Sequence, residues 1–231
     1  MIGIIGAMEL EVEQLTAAME DAALTQQAGM KFYSGKLEGT DAVVVRSGVG
    51  KVNAAVCTQI LADRFGVDAV INTGIAGAVG LEVGIGDIVL STSALQHDMD
   101  AVAFGYDLGV IPQQSCSDFL ADPKLLQTAL DCCALHLPEV KVHTGRVVSG
   151  DVFVAKKEQK DFLRSQFSAA CTEMEGAAIA HAAWLNGVPY LVVRAISDNA
   201  DAGAVEDYPA FERQAAARSA KLVRAMLRRL A

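Results

Sequence analysis

The stretch ACTEMEGAAIAHAAWLNGVPYLVVRAISD, from Ala170 to Asp198, decides the fold. Its first part places two carboxylates, Glu173 and Glu175, ahead of an alanine-rich segment that is predicted to be a buried helix. The apolar run Tyr190–Ile196 then predicts a buried strand that leads into Asp198. In open α/β sheets, ligands bind beyond the carboxyl ends of the strands. We therefore expect the two ends of this strand–helix–strand unit to border one site.

The same alternation of apolar runs and helical patterns extends in both directions from this unit. Further strands are predicted at residues 2–5, 31–37, 41–46, 69–72, 87–91 and 144–149, and helices from residue 8 onward and at 52–65, 123–135 and 156–167. A small-residue loop is predicted at 74–78, an ordered aromatic loop at 98–114 and a last helix at 209–230. Since strands and helices alternate without a linker or a repeat, we predict a single three-layer α/β/α domain spanning residues 1–231.

Composition and charge exclude several classes of function. The chain of 231 residues is 52% hydrophobic, which supplies a sizeable core, and its net charge of −9 argues against nucleic acid or an anionic membrane as a partner. The charge-free segment 176–193 contains Asn186 and Pro189, so a buried helix and strand explain it better than a membrane span. Five cysteines without a C-x-x-C motif, and an N-terminus without a basic leader, predict a reduced protein in the cytoplasm.

Three short patterns that resemble cofactor or metal sites fail on their spacing. The first βα turn, Gly3–Met8, lacks the G-x-G-x-x-G spacing of a dinucleotide site. Gly48–Lys51 resembles the end of a P-loop, but Val45 and Val52 occupy the positions that need Gly and Ser or Thr. The four histidines have no metal-ligand spacing. We therefore predict no cofactor and no metal.

The carboxylates provide the most specific chemical signal, although each has a plain structural alternative. Glu11 follows the first predicted strand and could reach a ligand in the crevice, but an acid in a first helical turn also complements the helix dipole. At the strand-to-helix transition, one of Glu173 and Glu175 should face the site while the other caps the helix. Asp198 ends a strand, where a Ser-Asp-Asn sequence is also a common turn. Three carboxylates around one crevice would raise one another's pKa values, as a general acid working near neutrality requires.

Six segments of the chain carry a resemblance to a known family. They read, in order, GIIGAMELEVE, SGVGKVNAA, INTGIAGA, VSGDVF, TEMEGAAIAH and VVRAISDNAD. Together they resemble the 5′-methylthioadenosine/S-adenosylhomocysteine nucleosidases of the nucleoside phosphorylase superfamily, over essentially the whole chain. The resemblance implies a central mixed sheet, no cofactor, a homodimer, and hydrolysis of the N-glycosidic bond in methionine salvage and the recycling of S-adenosylmethionine by-products. Ile75 departs from the Ser or Thr that relatives often carry, which removes a hydroxyl from that segment.

The resemblance also implies a role for each part of the site. Glu11 would activate the attacking water, and Asp198, supported by Ser197, would protonate N7 of adenine. Glu175 would bind the ribose hydroxyls and Phe153 would stack on the base. The remaining implied contacts are the ribose and water lining (Glu173, Met174 and Arg194), the adenine edge (Val154), the other walls (Met8, Ile75, Ala76, Gly77 and Tyr208), and a loop that would reach a partner subunit's 5′-alkylthio pocket (Phe104, Tyr106 and Pro112).

Three alternatives stay open at the level of the sequence. A phosphorylase of the same fold would need cations beside the incoming phosphate, and only Arg46 and Arg194 are candidates near a glutamate-rich turn, so hydrolysis is favoured. A non-catalytic nucleoside-binding protein would not need an acid and a base on opposite faces of its ligand. Aminodeoxyfutalosine, a menaquinone precursor, is an adenine nucleoside that differs at its 5′ end, where the loops around Phe104 and Tyr208 would decide the choice.

Overall fold

A computed structural model describes residues 1–231, which form ten strands and six α-helices. The strands are β1 (Ile2–Gly6), β2 (Glu20–Gln27), β3 (Met30–Leu37), β4 (Thr40–Arg46), β5 (Ala69–Ala78), β6 (Ile88–Gln96), β7 (Asp118–Leu120), β8 (Val142–Ser149), β9 (Ala169–Glu173) and β10 (Tyr190–Asp198). The helices are α1 (Glu9–Ala17), α2 (Lys51–Ile60), α3 (Pro123–His136), α4 (Lys157–Phe167), α5 (Gly176–Leu185) and α6 (Ala204–Leu230). A π-helical turn, Leu61–Phe65, extends α2, and a 3-10 turn, Val102–Phe104, lies in the long loop after β6.

The central sheet is mixed and closes on itself at one end. Its open part has the order β2-β3-β4-β1-β5, in which β1 runs parallel to both β4 and β5. β5 also pairs in parallel with β10, and the pairing continues through β6, β8 and β9 until β9 returns to β5. The mixed sheet expected from the resemblance is thus confirmed, and the closed ring brings the ends of β5, β9 and β10 together.

Helices cover both faces of the sheet, as the alternating sequence pattern predicts. On one face α1, α3 and α6 share an apolar cluster that includes Leu15, Ala129 and Met226. On the other face α2 and α5 pack through a second cluster that includes Cys57 and Ile179. The three-layer arrangement is confirmed. Each helix is either too short or too polar to span a bilayer.

The predicted loop at residues 74–78 is wrong, because these residues continue β5. Their small size serves close packing instead of a turn. A Cβ atom on Gly74 would collide with the side chains of Arg194 and Glu11. A Cβ atom on Gly77 would lie 2.8 Å from a carboxylate oxygen of Asp198. The absence of a side chain at Gly74 and at Gly77 therefore makes room for the ionisable groups of the site.

Other elements also differ from the sequence expectation: β6 continues to Gln96, and β7 was not predicted. The last helix begins at Ala204 instead of Pro209, since a proline removes one backbone donor and does not by itself end a helix. β2 was not indicated by the sequence, because EDAALTQQ is a largely exposed edge strand without an alternating apolar face.

Candidate active site

A cavity of about 220 Å³ lies beyond the carboxyl ends of β1, β5, β9 and β10. This is the edge at which ligands of open α/β sheets bind. The lining residues are Ala7, Met8, Glu11, Val49, Ile75, Ala76, Gly77, Val152, Phe153, Val154, Thr172, Glu173, Met174, Glu175, Ser197, Asp198 and Tyr208. The fold thus brings together carboxylates that are far apart in the sequence.

Glu11 in the first turn of α1 holds its carboxylate at the cavity with three backbone donors. The N–H groups of Ala7 and Met8 donate to its Oε2 over 2.7 and 2.9 Å, and that of Ile75 donates to Oε1 over 3.0 Å. Burial raises the pKa of Glu11, while the positive charge of Arg194 and the three N–H groups oppose the rise. The Glu11 side chain therefore both caps α1 and presents its carboxylate to the cavity.

Glu173 and Glu175 divide their work as the strand-to-helix transition predicts. Glu173 accepts hydrogen bonds from the N–H groups of Glu175 and Gly176, at 3.1 and 2.8 Å, and so caps α5. It also accepts from the Ser149 hydroxyl. Glu175 has a single backbone donor, the Gly50 N–H at 2.8 Å, and its other oxygen is free to meet a ligand. Burial, followed by repulsion from Glu173, raises the pKa of Glu175 to about 7.

Arg194 supplies the buried positive charge that makes this concentration of carboxylates possible. Its side chain is fully buried on β10, forms an ion pair with Glu173, and places Nη2 3.9 Å from Glu175. Nη2 also donates to Asn72 Oδ1 over 2.6 Å. Arg194 itself is not among the residues that line the cavity, because its fully buried guanidinium lies behind Glu173 and Glu175 and contacts the wall only through them.

Asp198 at the end of β10 is a buried carboxyl with two donors. The Ser197 hydroxyl donates to Oδ2 over 2.9 Å and the Ala200 N–H donates to Oδ1 over 2.8 Å. Burial raises its pKa, and the nearby acids Asp207 and Asp201 contribute less. Mutual repulsion with Glu11 and Glu175, which the sequence suggested as the cause, is therefore not what raises the pKa of Asp198.

An apolar region occupies the rest of the cavity wall. Phe153 and Tyr208 meet edge to face with their ring centres 5.8 Å apart. The Tyr208 hydroxyl donates to the Met8 sulfur over 3.1 Å, which orients both side chains along the wall. Phe153 is 45% exposed and belongs to the cavity wall, so part of its ring is available to a flat ligand.

The aromatic loop after β6 does not reach the cavity of its own chain. Phe104 is 84% exposed, and neither it nor Tyr106 and Pro112 belongs to the cavity wall. Conversely, Ala7, Val49, Val152 and Thr172 line the cavity but were not singled out from the sequence. All four lie within or next to the motif segments, which is the signal that could have found them. The Thr172 hydroxyl has no hydrogen-bond partner within the protein.

The arrangement suits acid–base chemistry on a small, partly flat molecule. Buried carboxyl groups with raised pKa values can donate or accept protons near neutrality. The wall contains no Lys or Arg side chain, so a bound anion would meet carboxylates without a compensating cation.

Comparison with known proteins assigns this architecture to a family. Residues 1–228 match the model of the phosphorylase superfamily. A 5′-methylthioadenosine/S-adenosylhomocysteine nucleosidase of Chromohalobacter salexigens is 44% identical over 99% of this chain and 97% of its own length. The crystal structure of the nucleosidase of the same name from Neisseria meningitidis, in complex with methylthio-immucillin-A, superposes with a TM-score of 0.95 at 38% identity, covering 99% of this chain and 98% of that one. The Colwellia psychrerythraea nucleosidase, in complex with adenine, gives a TM-score of 0.93 at 41% identity over 98% of this chain and 93% of that one.

Proposed function

The chain belongs to the 5′-methylthioadenosine/S-adenosylhomocysteine nucleosidases of the phosphorylase superfamily, and we propose that the cavity described above is its catalytic site. The protein is a hydrolase that cleaves the N-glycosidic bond of these nucleosides to adenine and the 5′-thio-ribose. The observation that carries the proposal is the convergence of Glu11, Glu175 and Asp198 on one cavity.

Asp198 is the acid for the leaving base. Cleavage of an N-glycosidic bond develops positive charge on the sugar and negative charge on the departing adenine. Protonation of N7 turns the adenine anion into neutral adenine, and a positioned acid contributes about a hundredfold to ten-thousandfold to the rate. Burial, which raises the pKa of Asp198, keeps a proton available for this step.

Glu11 is the base for water, and Glu175 is the acceptor for the ribose hydroxyls. Glu11 takes a proton from water as its oxygen attacks the sugar, while its negative charge stabilises the cationic sugar. Glu175 has one oxygen on the Gly50 N–H and the other free for a hydroxyl donor. The three N–H groups on Glu11 hold it in place, so little reorganisation accompanies the reaction.

Hydrolysis is favoured over phosphorolysis by the position of the two candidate cations. Arg46 is 57% exposed on its side chain and lies against Glu9, and Arg194 is fully buried against its own carboxylates. Neither lines the cavity, so phosphate would have to approach Glu11 uncompensated.

The decisive assay follows release of the free base from methylthioadenosine, S-adenosylhomocysteine, aminodeoxyfutalosine and inosine (adenine from the first three, hypoxanthine from inosine), with and without phosphate. We expect phosphate-independent release from the first two substrates. Asp198→Asn and Glu11→Gln should each lose at least about a hundredfold in kcat while folding normally. Glu13→Gln, which changes an exposed acid on the same helix, is the matched control. Wild-type turnover in either active-site variant contradicts the assigned role, and a strict phosphate requirement contradicts hydrolysis.

A homodimer completes the proposal. Val52, Leu185 and Phe104 are 75%, 61% and 84% exposed, so an interface that covers them would remove apolar surface from water. We infer that the loop carrying Phe104, Tyr106 and Pro112 closes the 5′ end of the partner's cavity, and that the protein, one domain over residues 1–231, works in the cytoplasm. Sedimentation should give a dimer, and Phe104→Ala should raise KM for methylthioadenosine; a monomer with wild-type KM contradicts the inference.

A further inference from the structure

A second hollow, of about 420 Å³, adjoins the catalytic cavity on its outer side. We call it the outer hollow, and it is lined by Ala7, Met8, Glu9, Ala28, Gly29, Met30, Arg46, Ser47, Gly48, Val49 and Asn53. Ala7, Met8 and Val49 belong to both walls and form a shared apolar sill between the two spaces. A ligand that crosses this sill from the cavity passes apolar atoms first and polar groups afterwards.

Two opposite charges stand on the wall of the outer hollow. Arg46 Nη1 lies 3.6 Å from Glu9 Oε2, and the side chains are 57% and 65% exposed. Arg46 ends β4 and Glu9 begins α1, which follows the neighbouring strand β1; Gly6 of β1 is in register with Arg46. Both charges are thus held by rigid elements next to the sill, and both keep accessible surface for a ligand.

We propose that the outer hollow binds the amino-acid end of S-adenosylhomocysteine, with Arg46 receiving its carboxylate and Glu9 its ammonium. This inference rests on the proposed function. S-adenosylhomocysteine continues from its sulfur through methylene groups to a carbon that bears both charges, whereas methylthioadenosine ends in a methyl group. The thioether and methylenes suit the sill of Met8 and Val49. The zwitterion suits a pair of opposite charges, since each charge of the ligand finds a partner.

The pair also distinguishes among 5′ substituents by their charge. Aminodeoxyfutalosine carries a carboxylate and no ammonium at that end. Arg46 would attract it while Glu9 would repel it, and methylthioadenosine would be indifferent to both. The outer hollow therefore selects a zwitterion over an anion, at a distance from the groups that break the glycosidic bond.

The test compares substrates within each variant, so that a general loss of activity cancels. Arg46→Met and Glu9→Gln are assayed by adenine release from S-adenosylhomocysteine, methylthioadenosine and aminodeoxyfutalosine. Lys36→Met is the matched control, because Lys36 is 56% exposed on its side chain, is paired with Asp41, and lines neither space.

We expect the ratio of kcat/KM for S-adenosylhomocysteine to that for methylthioadenosine to fall about twofold to fivefold in each hollow variant, the range that a solvent-exposed charge pair contributes. The ratio in Lys36→Met should equal that of the wild type. The ratio of aminodeoxyfutalosine to methylthioadenosine should rise in Glu9→Gln and fall in Arg46→Met. High salt should lower the first ratio of the wild type and leave that of Arg46→Met nearly unchanged.

An unchanged ratio for S-adenosylhomocysteine in both hollow variants overturns the subsite, as does an equal fall in Lys36→Met. In those cases adenine release from methylthioadenosine by the wild type leaves the proposed function intact. If the wild type releases adenine from none of these nucleosides, the proposed function itself fails.

Discussion

Replacing Arg194 by methionine tests whether a single buried cation holds the carboxylates of the site together. The guanidinium is fully buried, forms an ion pair with Glu173, and lies 3.9 Å from Glu175. The Nε and Nη1 atoms of Arg194 have no hydrogen-bond partner in the protein. We therefore attribute most of the contribution of Arg194 to stability to its positive charge. Methionine fills similar space without the charge.

The expected cost follows from the distances. Two unit charges 3.9 Å apart interact by about 4 kcal/mol at an effective dielectric constant of about 20. Removing one partner of a buried ion pair typically costs about 3–5 kcal/mol, because the other charge remains buried and uncompensated. For a chain of this size, that free energy corresponds to a fall of about 10 °C in Tm.

The stability deficit of Arg194→Met should depend on pH, which distinguishes a lost charge from a simple packing defect. Without Arg194, the pKa values of Glu11 and Glu175, which burial already raises, should rise further. A carboxyl with a pKa raised in the folded state supports folding below its unfolded pKa and loses that support as the pH rises through its folded pKa. The deficit of Arg194→Met should therefore be small near pH 5 and large near pH 8.

The assay is urea or thermal unfolding of the wild type and Arg194→Met between pH 5 and 8. Arg64→Met, which removes an exposed guanidinium bonded to Gln27, is the control. Adding Glu173→Gln to Arg194→Met should recover part of the loss, because it neutralises the nearest orphaned charge. A deficit below about 1 kcal/mol at pH 8, or one that does not change between pH 5 and pH 8, refutes the electrostatic reasoning.

Three further predictions concern neighbouring parts of the site. As the pH rises from 5 to 8, Glu175→Gln should become more stable relative to the wild type by up to about 3 kcal/mol, because the pKa of Glu175 is raised from 4.5 to about 7 in the folded protein. Parallel curves of stability against pH for the two proteins would contradict this. Gly74→Ala should lower the unfolding free energy by at least about 1–3 kcal/mol, since its methyl group would collide with Arg194, and unchanged thermal unfolding would contradict it. Asp98→Ala should raise KM for methylthioadenosine about fivefold with a smaller change in kcat, because Asp98 accepts a hydrogen bond from the Asp151 N–H at 3.0 Å and so anchors the segment that carries Phe153. Initial-rate measurements that show a loss in kcat alone would contradict it.

Short stretches of sequence were enough to predict the features of this protein that depend only on neighbouring residues. Apolar runs and helical spacing predicted most of the strands and helices, and the six motif segments pointed to the nucleosidase family that the comparisons then showed. The position of Glu173 and Glu175 at a strand-to-helix transition was enough to expect one capping and one ligand-facing carboxylate. These inferences succeed because backbone geometry over a few residues decides which way a side chain points.

Tertiary structure alone decided how the distant pieces combine. Residues 74–78 look like a loop in isolation, but pairing with β10 makes them a strand, because small residues there admit the side chains of Arg194 and Glu11. Burial cannot be read from a local sequence pattern. In the folded protein it raises the pKa of Asp198, and the side chain of Arg194 is fully buried behind the cavity wall. The meeting of Arg46 with Glu9 beside an apolar sill depends on the parallel register of β1 and β4. Strand pairing between distant segments brings these residues together, and their burial shifts the pKa values of the carboxyl groups. Both effects exist only in the folded chain.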